Sequence, residues 1–190
     1  YSYAVNTLCS LTDAIFHIRY VNSDKDDEQI KKRVEEDKLI IAPIIKKYIE
    51  YKKERRYMDY DDMLNVVAQV LEKNESVRTT VTTRYVHVLV DEMQDTNPLQ
   101  YKLLRCFTEK SHLFCVGDDA QSIYAFRGAD FKTIHSFVDA VPQSELQKLE
   151  LNYRSTQEIL DLSNWVLAQS PLNYNKNLTA DRGKGEKPQL

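Results

Sequence analysis

Over the first fifty residues apolar side chains recur every three or four positions, the spacing of helices with one buried stripe. Leu8, Leu11, Ile15 and Ile18 mark a first such stretch. A strongly charged run from Asp24 to Lys38 interrupts the pattern, which resumes with Ile41, Ile44, Ile45, Tyr48 and Ile49. Because proline has no amide hydrogen to give a helix, Pro43 places the start of this second helix near Ile41. Asp59 then caps a helix whose stripe is Leu64, Val67, Ala68 and Leu71, and a shorter one is expected from Ser76 to Arg84.

The period changes at Val86–Val90. This run is continuous rather than alternating, rich in β-branched residues and too short for a core helix, so it reads as a strand buried on both faces of a parallel sheet. Thr96 or Asn97 caps the next helix, with Pro98 in its first turn and Leu99, Leu103, Leu104 and Phe107 facing the core. Leu113–Val116 is a second short apolar run, giving a strand-helix-strand unit with parallel strands. Beyond it a helix is expected from Asp130 to about Val138, a break at Pro142 and a third strand near Gln147–Leu151. A final helix follows, with Ser155 and Glu158 at capping-box spacing and Ile159, Leu160, Val166 and Leu167 along it. From Ser170 onward Pro, Gly, Asn and Lys dominate, which reads as a loop or frayed terminus.

Both apolar runs end in polar clusters. The first stops at Asp91-Glu92-Met93-Gln94-Asp95, the second at Gly117-Asp118-Asp119-Ala120-Gln121. Acids near a helix start can simply complement the helix dipole. Two parallel strands that both end this way favour chemistry instead, since ligands collect beyond the carboxyl ends of such strands. Arg154, just before a helix start, is well placed to meet an anion there. In Ser122–Ala129 two aromatics and an arginine stand beside a glycine, which suits stacking on unpaired bases or, equally, filling a gap between lobes. Lys46, Lys47, Lys52, Lys53, Arg55 and Arg56 make the second helix basic: a solvated face or a phosphate-contacting one.

Composition adds bounds rather than direction. The 190 residues are 42% hydrophobic and 29% charged with a formal net charge of −3, so the total carries no electrostatic mark of nucleic-acid binding, although a local patch can hide in such a sum. Three cysteines far apart suggest neither a disulfide framework nor a zinc site. No signal peptide or membrane span is evident, and a cytoplasmic location is expected.

Taken together, the clusters resemble the UvrD/Rep/PcrA DNA helicases of superfamily 1. Asp91–Asp95 is similar to the Walker B box (motif II) of that family, Val116–Ala129 to motif III and Leu151–Ser155 to motif IV; Tyr57–Leu64 resembles the acidic segment that precedes motif II. The fold implied is α/β, part of a parallel-sheet RecA-like motor domain with an N-terminal helical subdomain. Residues 1–56 would be a partial 1B-like helical subdomain, 57–145 a portion of RecA-like domain 1A carrying motifs II and III, 146–169 the start of the second RecA-like domain with motif IV, and 170–190 a loop or frayed terminus.

The resemblance implies ATP and Mg2+ as cofactors, with Asp91 on the metal and Glu92 as the base for the attacking water. Gln121 would sense the γ-phosphate, Arg154 would stabilise its charge and Tyr153 would stack on adenine. Tyr124, Phe126 and Arg127 would contact DNA, Phe126 standing where relatives often carry tryptophan. The partners implied are single-stranded DNA and single-/double-strand junctions, with 3′ to 5′ translocation, no membrane and an oligomeric state left open. No G-x-x-x-x-G-K-[ST] loop occurs in the sequence, whose four glycines are Gly117, Gly128, Gly183 and Gly185. The chain therefore reads as an internal piece of a larger motor, expected to be inactive by itself. The alternatives are a non-catalytic DNA-repair interaction module and the helicase lobe of a helicase-nuclease.

Overall fold

A computed structural model describes residues 1–123, 137, 141, 143–170 and 176–189. Tyr124, Phe126, Arg127 and the helix expected over 130–138 lie outside the described residues, apart from Phe137. The chain divides into two compact units, Tyr1–Asp118 with Ser122–His135, and Asp119–Gln121 with Ser136–Leu190.

In the first unit helices α1 (Ser2–Thr7), α2 (Leu11–Arg19), α3 (Asp27–Arg55), α4 (Tyr60–Lys73) and α5 (Glu75–Thr82) precede strand β1 (His87–Val90), helix α6 (Pro98–Arg105) and strand β2 (His112–Cys115). From Asp27 onward the charged run forms the first part of the 29-residue α3, so one helix joins it to the apolar stretch that follows. Ile30 and Val34 of α3 pack with Ile15 of α2 in a small core that Leu11, Tyr20 and Ile41 adjoin. At its edge the Tyr20 hydroxyl (2.7 Å) and the Arg19 guanidinium (2.9 Å) share the Asp37 carboxylate. Pro43 therefore sits inside the helix rather than in its first turn. It removes one helical hydrogen bond on an exposed face, where water can serve the freed carbonyl, and packed turns on both sides keep the helix continuous.

Capping fixes the next helices. Asp59 and Asp62 form a reciprocal capping box at the start of α4, Asn74 accepts from the Val77 amide at α5, and Asn97 and Gln100 form a second box at α6 with Pro98 in the first turn. Ala68, Leu71 and Leu99 are buried as expected, whereas Val67 is 48% exposed.

β1 and β2 are parallel, in register from His87↔His112 to Val90↔Cys115, with α6 as the crossover. Burial on both faces does not hold. Val88, Val90, Leu113 and Cys115 face a covered side, but Leu89 is 75% and Phe114 64% exposed, because the other face has no packing layer among the described residues. Burial pushes the Cys115 thiol above its ordinary pKa, so it is a packing group rather than a nucleophile.

The second unit contains β3 (Leu151–Asn152), α7 (Gln157–Gln169) and β4 (Thr179–Ala180), with β3 and β4 parallel. The third strand begins later than the apolar pattern suggested. The expected Ser155–Glu158 box is absent: Thr156 is the N-cap of α7 and makes no side-chain cap bond, while the Glu158 carboxylate accepts from the Gly185 amide. Residues 176–185, expected as loop or fraying end, hold β4 and a series of hydrogen bonds to the start of α7.

Candidate active site

The carboxylates stand where a parallel strand pair stops. Asp91 and Glu92 follow the last residue of β1, and both are exposed. Glu92 adopts a left-handed backbone (φ 51°, ψ 44°), a region that costs a non-glycine residue about 1 kcal/mol or more. Three contacts hold it there. Its amide donates to Asp91 Oδ1 at 2.9 Å, the Asp95 amide donates to its carbonyl at 2.9 Å, and the Met93 amide donates to the Val116 carbonyl at 2.9 Å. The backbone reversal turns both acids out of the sheet instead of continuing the strand.

Gln94 is the residue that sequence reading left without a role. Only 2% exposed, its side-chain amide donates to Glu92 Oε2 at 2.6 Å while its carbonyl oxygen accepts from the Asp118 amide at 2.9 Å. One buried amide thus fixes the Glu92 carboxylate to the end of the neighbouring strand. Its Nε2 also leaves Glu92 an oxygen for other work. The signal was its place between acids: a polar group on a tight turn after a strand must find partners to be buried. Met93, also 2% exposed, and Thr96 anchor the turn from below, with the Thr96 hydroxyl meeting Met93 Sδ at 3.6 Å.

Asp91 offers a carboxylate whose Oδ1 takes the Glu92 amide and whose Oδ2 has no protein donor among the described residues. Nor do the described residues contain a group of three or more His, Cys, Asp or Glu side chains arranged to cage a metal. One exposed hard-oxygen ligand fits a magnesium ion that keeps waters and shares itself with phosphate, and does not fit a structural zinc site.

Gln121, Tyr153 and Arg154 fall in the second unit. Gln121, exposed, ends a 3-10 turn over Asp119–Gln121 whose Asp119 is buried and ion-paired with Lys176. In the turn after β3, Asn152 Oδ1 accepts from the amides of Arg154 (2.9 Å) and Ser155 (2.8 Å), and this presents Tyr153 and Arg154 outward, Tyr153 at 69% exposure. An asparagine tying down its following amides is a compact way to aim two side chains from a turn.

The acidic segment before the site has a different office. Lys52, 6% exposed, reaches both Asp59 Oδ2 and Asp62 Oδ2 at 2.6 Å, with its ammonium over the rings of Tyr48 (4.6 Å) and Tyr1 (4.9 Å). Asp61 accepts from Asn6 at 2.8 Å. All three acids therefore have structural partners, and Lys52 is not part of a solvated basic face. Burial opposes the charge on Lys52, but the bonds to Asp59, Asp62 and Tyr1 outweigh it and hold its pKa well above the ordinary lysine value. Burial would likewise raise Asp59, yet Lys52, the Asp62 amide and the Tyr48 hydroxyl bring it down to about 2. Lys46, Lys47, Lys53, Arg55 and Arg56 remain exposed.

Comparison with known proteins agrees with these motifs. A sequence model of the UvrD/REP helicase N-terminal domain matches residues 8–142. The chain is 39% identical over 150 residues to the ATP-dependent DNA helicase UvrD1 of Mycobacterium tuberculosis, covering 73% of this chain and 20% of that protein. It is 34% identical over 175 residues to DNA helicase II of Haemophilus influenzae (88% and 24% covered), and 34% identical over 139 residues to the ATP-dependent DNA helicase Rep of Salmonella typhimurium (73% and 21%). It spans about a fifth to a quarter of the length of these curated relatives. On the strength of the matched domain and of these relatives, the chain belongs to the UvrD/Rep family of DNA helicases.

Proposed function

We propose that this chain is part of a RecA-like motor that hydrolyses ATP to move along single-stranded DNA and open duplexes, with 3′ to 5′ polarity. The observation that carries this reading is the Glu92 carboxylate, turned out at a parallel-strand end and gripped through one oxygen by buried Gln94. A base for water needs a fixed direction and one free lone pair, and this arrangement supplies both. Asp91 would hold a magnesium ion, which when bound neutralises charge on the phosphate oxygens. Gln121 would sense the γ-phosphate, Arg154 would place positive charge on its equatorial oxygens, and Tyr153 would stack on adenine. Tyr124, Phe126 and Arg127 would contact DNA.

Gly-x-x-x-x-Gly-Lys-[Ser/Thr] is missing from the sequence, so a backbone cradle and lysine for the β- and γ-phosphates must come from other polypeptide. The 190 residues alone are expected to release no phosphate from ATP above buffer. The parent protein is the test of the reading itself. Its steady-state phosphate release should rise at least about tenfold when a single-stranded oligonucleotide is added, the coupling that defines a motor. An ATPase indifferent to DNA, or none at all, contradicts the proposal.

A further inference from the structure

Two of the residues given phosphate-facing roles, Gln121 and Arg154, lie on separate turns of the second unit, and one later segment grips both turns. Lys176 pairs with Asp119, the first residue of the Asp119–Gln121 turn; the lysine and aspartate side chains are 21% and 8% exposed. Six residues on, the Arg182 guanidinium donates to the Arg154 carbonyl at 2.9 Å. Between these grips β4 pairs with β3 in the register Leu151↔Thr179 and Asn152↔Ala180. The Asn177 amide donates to Glu150 Oε1 (2.8 Å), and Asn164 holds the Leu178 backbone through both its amide group (2.9 Å) and its oxygen (3.0 Å).

The far end of the segment is closed equally firmly. Gly183 has φ +71° and its carbonyl accepts from the Gln157 amide at 2.9 Å, in the first turn of α7. A side chain at Gly185 would place its Cβ 2.5 Å from Thr156 Cγ2, so only glycine lets the chain pass this close to the N-cap of α7.

We propose that residues 176–185 form a positioning strap: Lys176 sets the turn that presents Gln121, and Arg182 sets the turn that presents Arg154. The proposal rests on the phosphate-facing roles given to Gln121 and Arg154 above. Lys176 and Arg182 touch no reacting atom in it. They act through the backbone that aims the other two, and misplacing a catalytic group by about 1 Å can cost on the order of a hundredfold in rate. A half-buried ion pair at Asp119, two residues from Gln121, is stiffer than an exposed one because water and salt screen it less.

The test uses the full-length parent with single-stranded DNA and saturating magnesium. Lys176→Met and Asp119→Asn should each lower kcat about tenfold or more, while the KM for ATP and the affinity for a fluorescent ADP analogue stay within about twofold. The double variant should be no worse than either single one, as expected of two ends of one interaction. Lys176→Arg should recover most of the rate. Arg182→Gln, at an exposed position, should lower kcat in the same sense without moving the melting temperature. If Lys176→Met melts below the assay temperature, Lys176→Gln, which removes the charge and keeps a polar end, is read in its place; wild-type kcat in both Lys176→Gln and Asp119→Asn overturns the strap.

Gln121→Ala separates the two levels. A slow Gln121→Ala beside Lys176→Met and Arg182→Gln at wild-type rate overturns the strap alone. A wild-type Gln121→Ala overturns the role given to Gln121, and the strap with it.

Discussion

At Glu92 a left-handed backbone, a neighbouring carboxylate and a buried amide converge on one side chain. Removing Gln94 frees that carboxylate and leaves the Asp118 amide without its acceptor. Gln94→Ala is expected to cost about 1–2 kcal/mol of stability, seen as a lower urea midpoint of the chain. In the parent it should also lower kcat about tenfold or more with ATP affinity retained, whereas an unchanged kcat would show that Glu92 needs no such restraint. The acids stand out in the sequence as a candidate site because two apolar runs end in polar clusters. Gln94 does not, since its value lies in reaching Asp118, and sequence spacing does not show which backbone amide a side chain will meet.

Among the elements, the joint between α3 and α4 carries the largest electrostatic arrangement. Lys52→Met leaves Asp59 and Asp62 facing each other and should destabilise the chain by about 3 kcal/mol, read as a fall in the thermal midpoint. The pH dependence follows in sign. Asp59 titrates lower folded than unfolded, so its contribution is present above about pH 4 and lost as pH falls through about 2. Lys52 titrates higher folded than unfolded, so its contribution is full below the ordinary lysine pKa and is lost only in strong alkali. Acid denaturation of the wild type should therefore steepen between about pH 4 and 2, and the Lys52→Met variant, left with only the Asp62 amide and the Tyr48 hydroxyl on Asp59, should show a shallower step. A wild type and variant with parallel acid profiles would count against the joint. The helices themselves were legible from their caps and periods. Lys52 was misread as surface because it lies in a basic run, and its burial depends on Asp59 and Asp62 folding back from α4. Pro43 was misread because neighbouring packed turns can carry a helix past one missing bond.

On the scale of the whole molecule, the parallel strand pair was legible but its burial was not. A continuous apolar run says that both faces of a strand suit a dry environment; it cannot say that both are covered within 190 residues. Here Leu89 stands open at 75% exposure. Leu89→Thr should thus change the stability of this chain by no more than about 0.5 kcal/mol, measured by denaturant unfolding. A cost above about 2 kcal/mol would mean that the face is covered in solution. Among the described residues no helix is long and apolar enough to cross a membrane. The strap over 176–185 was the least legible part, since a run of Pro, Gly, Asn and Lys describes a disordered tail and a tightly tied segment equally well.

The central claim is that the acid end of β1 activates water on a nucleotide. It is tested most directly by comparing the full-length parent with its Glu92→Gln variant, reading DNA-stimulated phosphate release and equilibrium nucleotide binding side by side. The account predicts that hydrolysis falls about a hundredfold or more while binding stays within about twofold. Equal turnover in the two proteins would contradict it.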